Sequence, residues 1–277
     1  MKSTFTTTLA ITLTFLAPSL LGHMLMLDPC PRYYDKENCP KPPSGQKVDY
    51  EINGSIGDDE KIKRPKCHYT VPYDEPTVKM TAGGKYTVKF SKDGPNGHKG
   101  GHCQFAIGYN GEDFVAIHEV FSHCFYKDKG ADADKYEDEG AEVFEYEVPI
   151  PKDVPSGRAI FAWGWTSAYG TREFYMNCSD IEIEGGTGTE LKGKSMIYPN
   201  YGPDPEIAIP ELADAGYEVG IEYYKNAKEI TVKPEGGSTG GGSSEPGSKK
   251  SKEEVADNET STTPDDEDEE SDGGSDK

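Results

Sequence analysis

Between residues 77 and 184 the chain sets apolar side chains at alternate positions in a series of short runs. These are "TVKMTAGGKYTVKF", "CQFAIGY", "DFVAIHEVF", "EVFEYEVPI", "RAIFAWGWTS" and "REFYMNCSDIEIE". A period of two sends successive side chains to opposite faces, so the runs predict half-buried antiparallel strands. Gly, Pro, Asp and Asn separate them, and "NGED" between the second and third runs predicts a hairpin turn. Helical periodicity is weak here. The spacing therefore predicts an all-β, immunoglobulin-like or fibronectin-like antiparallel β-sandwich with long loops. The Pro-rich stretch from Pro29 to Pro76 is expected as long loops over one end. Residues 125–141, "FYKDKGADADKYEDEGA", read as an acidic surface insertion, and one short helix is expected near Pro210 to Tyr217.

The flanks of this region differ in composition. Residues 9–22, "LAITLTFLAPSLLG", form an apolar run behind a lone Lys2. It is too short for a membrane span and ends on a small residue, as a secretory signal peptide does. Residues 1–22 are thus expected to be removed, 23–185 to form the sandwich, and 186–235 to form an extension. Residues 236–277 read as a disordered Gly/Ser-rich linker and acidic tail, since almost nothing apolar offsets the entropy of ordering. From Lys249 to Lys277 there are 12 acidic residues against 4 lysines, which supplies −8 of the net charge of −21. Without clustered cations, neither nucleic acid nor a membrane surface is expected as a partner. Six cysteines in a chain read as secreted predict three disulfides, with Cys30 and Cys39 expected to pair. Asn53, Asn177 and Asn258 begin glycosylation sequons, Asn177 being the poorest because it lies in an expected strand beside a cysteine.

Cleavage behind Gly22 would leave His23 first, with a free α-amine beside its imidazole. A second histidine, His98, stands in "GPNGHKGGHCQ", whose glycines permit the close turns that present a loop side chain. Three nitrogens from two such residues suit copper, for which imidazole is a good ligand.

"HMLMLDPCP", "VDYEINGSIG", "GHKGGHCQ" and "VPSGRAIFAWGWTSAYGTREFYMNC" occur in this order from His23 to Cys178. Together they resemble the copper-dependent lytic polysaccharide monooxygenases, with the fungal, chitin-active auxiliary activity family 11 as the nearest group. The resemblance implies copper held by His23, His98 and an axial Tyr175, with Glu173 and Tyr175 in catalytic roles. It implies the pairs Cys67–Cys178 and Cys103–Cys124. It also implies a secreted, monomeric enzyme that cleaves an insoluble polysaccharide oxidatively, chitin first, with an external electron donor and peroxide or oxygen. His102 stands where a small hydroxyl residue is expected, as a rival ligand or a substrate contact. Trp163 and Trp165 are expected in the core, His68, His118 and His123 in structural roles, and Tyr33, Tyr34 and Tyr169 as stacking surfaces for sugar rings. A non-catalytic copper binder and a chitin- or cell-wall-binding module are the alternative readings of the same features.

Overall fold

The side chains of three central strands divide by parity into two buried clusters. The computed structural model describes residues 23–36, 38–58, 63–68, 71–92, 100–130, 140–167, 173–199, 201 and 216–234. The expected signal peptide and acidic tail lie outside these residues. The strands are β1 Met26–Asp28, β2 Gly57–Asp58, β3 Lys63–Arg64, β4 Val78–Thr81, β5 Lys85–Phe90, β6 Gly101–Gly108 and β7 Phe114–Val120. There follow β8 Glu145–Pro149, β9 Gly157–Ser167, β10 Phe174–Glu184, β11 Leu191–Lys194, helix α1 Gly216–Lys225 and β12 Glu229–Val232. A five-stranded sheet has the order β4-β10-β9-β6-β7, and a three-stranded sheet the order β1-β5-β8. Among the described strands, the one parallel pair joins β4 to β10 in the five-stranded sheet.

Odd-numbered residues of β6, β9 and β10, among them Phe105, Trp163 and Tyr175, face the core shared with Met26, Val88, Phe90 and Val148. Even-numbered ones, including Ala106, Ala162, Phe174 and Met176, face a second cluster with Ile56, Cys67 and Met196. Half-burial is therefore corrected for these strands: both faces are covered. The cover on the outer face comes partly from the Pro-rich stretch, which does not merely cap one end, and partly from Met196, Tyr198 and Tyr201. Ile56 donates its N–H to the Phe174 carbonyl, and the buried Arg32 reaches Asp180 at 2.6 Å. The apolar even positions supply the reason, since they would otherwise expose a wide hydrophobic face.

The "NGED" turn forms as expected, with Asn110 Oδ1 accepting from the N–H groups of Glu112 and Asp113. At "AGG" the chain changes sheets, with Gly83 at φ +78°. The disulfides are Cys30–Cys39, Cys67–Cys178 and Cys103–Cys124, matching the expected pairs. The expected acidic insertion begins inside the protein, because Phe125 and Tyr126 are core residues. Its residues 131–139 lie outside the described ones.

Helix α1 carries Tyr217 in its first turn and continues to Lys225, later than the sequence pattern suggested. Tyr224 is buried, donates to Thr166 Oγ1 and lies 5.2 Å from the His102 ring. Gly220 is required here, since a Cβ would come within 2.7 Å of His102 Nε2. His102 is fully buried and accepts the Ser122 N–H at Nδ1, so it serves as neither a rival ligand nor a substrate contact.

Burial lowers the His102 pKa to about 4, so the folded chain refuses a proton that the unfolded chain accepts below about 6.5. Stability is then lost as pH falls through that window, by roughly 2–3 kcal/mol at pH 4.5. Urea unfolding at pH 4.5 and 7.5 should show a smaller pH loss for His102→Asn than for the parent; equal losses would contradict this account.

Candidate metal centre

Antiparallel pairing sets Tyr175 opposite Trp165, and Trp165 opposite Cys103 on its other side. The start of β10, the end of β9 and the start of β6 therefore meet at one end of the five-stranded sheet. Tyr175 and Asn177 share a face by the period of the strand, and Glu173 stands just ahead of it. Asn177 is 2% exposed. Its Oδ1 accepts the N–H of Met26 at 3.1 Å, while its Nδ2 donates to the Ile52 carbonyl at 2.9 Å. These bonds hold the N-terminal segment against β10. His23, three residues before Met26, consequently packs on Tyr175 with ring centroids 4.8 Å apart. The Tyr175 hydroxyl donates to Glu173 Oε2 at 2.6 Å, and Trp165 covers the Tyr175 ring at 5.1 Å.

Burial lowers the pKa of the His23 imidazole, with the Glu173 carboxylate pulling the other way. A neutral imidazole keeps the lone pair that a metal needs. Burial, then the hydrogen bond to Glu173 and its charge, raise the Tyr175 phenol well above its ordinary value, so it remains protonated. The pair suits a transition metal that takes imidazole, whereas calcium or magnesium would ask for several oxygen ligands. Among the described residues no group of three or more His, Cys, Asp and Glu converges.

His98 lies outside the described residues, but the glycines that follow it do not. A Cβ on Gly100 would stand 2.3 Å from the Ser122 carbonyl, and one on Gly101 would stand 2.3 Å from Trp165 Nε1. Close backbone approach explains this half of "GHKGGHCQ", and it delivers the chain into β6 at the end where Tyr175 lies.

Trp163 and Trp165 are core residues as expected, and His68 is buried. His118 and His123 are partly exposed. Tyr33 is a correction: it is fully buried and donates its hydroxyl to the Val71 carbonyl, so it offers no stacking surface. Tyr34 is partly buried, and Tyr169 and Asn258 lie outside the described residues. An exposed aromatic that the sequence pattern did not single out is Tyr50, 82% exposed. Its signal was local, an aromatic between Asp49 and Ile52 in a segment where both of those are buried. Asn177, with its amide committed at both ends, is a structural residue and unsuited to carry a glycan; Asn53 is partly exposed.

Asn177→Ala leaves the Met26 N–H and the Ile52 carbonyl without their buried partner. It should lower unfolding stability by roughly 2–4 kcal/mol in urea titrations, and a loss below about 1 kcal/mol would contradict the clamp.

No family model matches the chain. It is 33% identical over 154 residues to AA11 family lytic polysaccharide monooxygenase A of Aspergillus fumigatus, covering 55% of this chain and 62% of that protein. To an AA11 family lytic polysaccharide monooxygenase of Aspergillus oryzae it is 27% identical over 176 residues, covering 62% of this chain and 38% of the relative. The chain thus spans less than two thirds of either relative. Among solved structures, the extended catalytic domain of H. jecorina LPMO9A aligns with a TM-score of 0.40 at 15% identity, over 60% of this chain and 71% of that one. By sequence, the chain is a relative of the AA11 family lytic polysaccharide monooxygenases.

Proposed function

We propose that the protein is a secreted, monomeric copper-dependent monooxygenase that cleaves glycosidic bonds of an insoluble polysaccharide. The observation that carries this reading is a neutral imidazole packed, tilted by 43°, against a protonated phenol whose hydroxyl donates to a carboxylate. After cleavage behind Gly22, His23 offers its α-amine and imidazole to the metal. His98 would add a third nitrogen, and the Tyr175 hydroxyl would face the metal as a neutral oxygen. Copper held there would supply the one-electron chemistry by which peroxide or oxygen, with an external reductant, oxidises a C–H bond beside the glycosidic oxygen.

The chain's own residues do the positioning. Trp165 and Tyr175 keep water from the inner side, both being nearly inaccessible. Glu173 Oε2 accepts the Tyr175 hydroxyl at 2.6 Å and is a carboxylate placed to receive or return a proton at the site. Tyr50 offers an exposed ring face to a sugar. Chitin is the substrate favoured by the resemblance of the motifs. Being uncharged apart from any deacetylated units, it also meets no repulsion from a chain of net charge −21, unlike an acidic polysaccharide.

The protein beginning at His23, loaded with copper and given chitin, a reductant and peroxide, should release oxidised oligosaccharides detectable by mass. A chelator should abolish them. Glu173→Gln should slow product formation at least about tenfold while copper uptake is retained. Copper uptake without oxidised product on either chitin or cellulose would select the non-catalytic binder instead.

A further inference from the structure

The segment carrying Tyr50 is fixed at more points than a surface loop needs. Ile52 gives its carbonyl to Asn177, and Ile56 gives its N–H to Phe174, which tie the segment to β10. Arg64 of β3 donates to the Ser55 carbonyl and pairs with Glu51. On the other side, Asp49 donates its N–H to the Tyr33 carbonyl, and its Oδ1 accepts from Glu51. Its second oxygen lies 3.1 Å from Nδ1 of His68, at contact distance but off the line of a strong hydrogen bond. Asp49 and His68 are 8% and 3% exposed, whereas Tyr50 between these supports is 82% exposed.

His68 is held in turn by an unusual backbone. Cys67 and His68 both have φ of 60°, in the left-handed region that costs a non-glycine residue about 1–3 kcal/mol. Two such residues in succession persist only where their surroundings impose them. Here Cys67 is bonded to Cys178 of β10, the neighbour of Asn177. The disulfide thus delivers the imidazole under the loop from the same strand that carries Tyr175. Burial alone would raise the Asp49 carboxyl, yet the His68 contact and the Glu51 N–H bring it below its ordinary value. The carboxylate is therefore ionised and able to hold the imidazole, and a buried charge with one partner removed is costly.

We infer that His68 is a positioning residue for substrate capture: through Asp49 it sets the loop that presents Tyr50, joined by Asn177 to the segment bearing His23. The inference rests on the polysaccharide reading above. Loss of His68 should therefore cost the protein its grip on substrate and leave its metal site intact. The imidazole acts on substrate through the loop, whereas the Asn177–Met26 bond that holds the His23 segment on β10 involves neither His68 nor Asp49.

The test is a binding isotherm on chitin particles for the full protein beginning at His23, with Cu(II) affinity and melting temperature measured in parallel. Tyr50→Ala should weaken chitin binding about tenfold. His68→Ala should weaken it by a similar factor, and the double variant should be no weaker than Tyr50→Ala alone, because both changes remove one contact. Copper affinity should stay within about twofold in all three, as no ligand is touched. His68→Asn, whose amide can stand where Nδ1 stands, should recover most of the binding. If His68→Ala does not fold, Asp49→Asn carries the same expectation. Parental chitin binding in His68→Ala or Asp49→Asn at a temperature where both are folded, or losses that multiply in the double variant, would overturn the inference. Unchanged binding in Tyr50→Ala would overturn it together with the stacking role of that ring. Binding is read without turnover, so a failure to form oxidised products would count against the enzyme reading separately.

Discussion

One carboxamide joins the parts of this molecule that matter for its chemistry. Asn177 lies in β10, one of three adjacent strands that are buried on both sides, and it accepts from Met26 while donating to Ile52. One bond brings the N-terminal segment over β10, and the other fixes the Tyr50 loop. Because both partners are backbone groups buried with it, the amide cannot be replaced by an apolar side chain without leaving two orphaned polar atoms. The packing of His23 against Tyr175 follows from this arrangement, as does the placement of an exposed aromatic on a loop held by the same residue.

The surroundings of the site set its chemistry by exclusion. Burial keeps the imidazole of His23 neutral and the phenol of Tyr175 protonated, the first with the charge of Glu173 opposing and the second with that charge assisting. A free carboxylate as direct ligand would make a harder, more oxygen-rich site; here it is held by a phenol proton instead. Such a donor set suits a transition-metal ion that takes imidazole more than one that asks for oxygen ligands.

Much of this was legible in the sequence, for identifiable reasons. Strands such as β5 and β8 alternate cleanly because one face meets solvent, and the disulfides fell on the expected pairs. In β6, β9 and β10 the alternation is between two apolar faces, so periodicity alone could not tell half-burial from full burial. What covers the outer face is set by contacts across long separations, such as Arg32 with Asp180. The same separation hid the fate of Tyr33, which is buried beside that pair, and of His102, roofed by a helix more than a hundred residues later. Tyr50 was overlooked because exposure is fixed by its anchored neighbours and not by any property of the tyrosine itself.

The central claim is that His23 holds copper through both its imidazole and a free α-amine. Calorimetric titration of Cu(II) into the protein beginning at His23, against the same protein retaining Gly22 ahead of it, tests that claim directly. The account predicts that the added residue lowers copper affinity at least about tenfold, because His23 then has an amide where the amine should be. Equal affinities would contradict it.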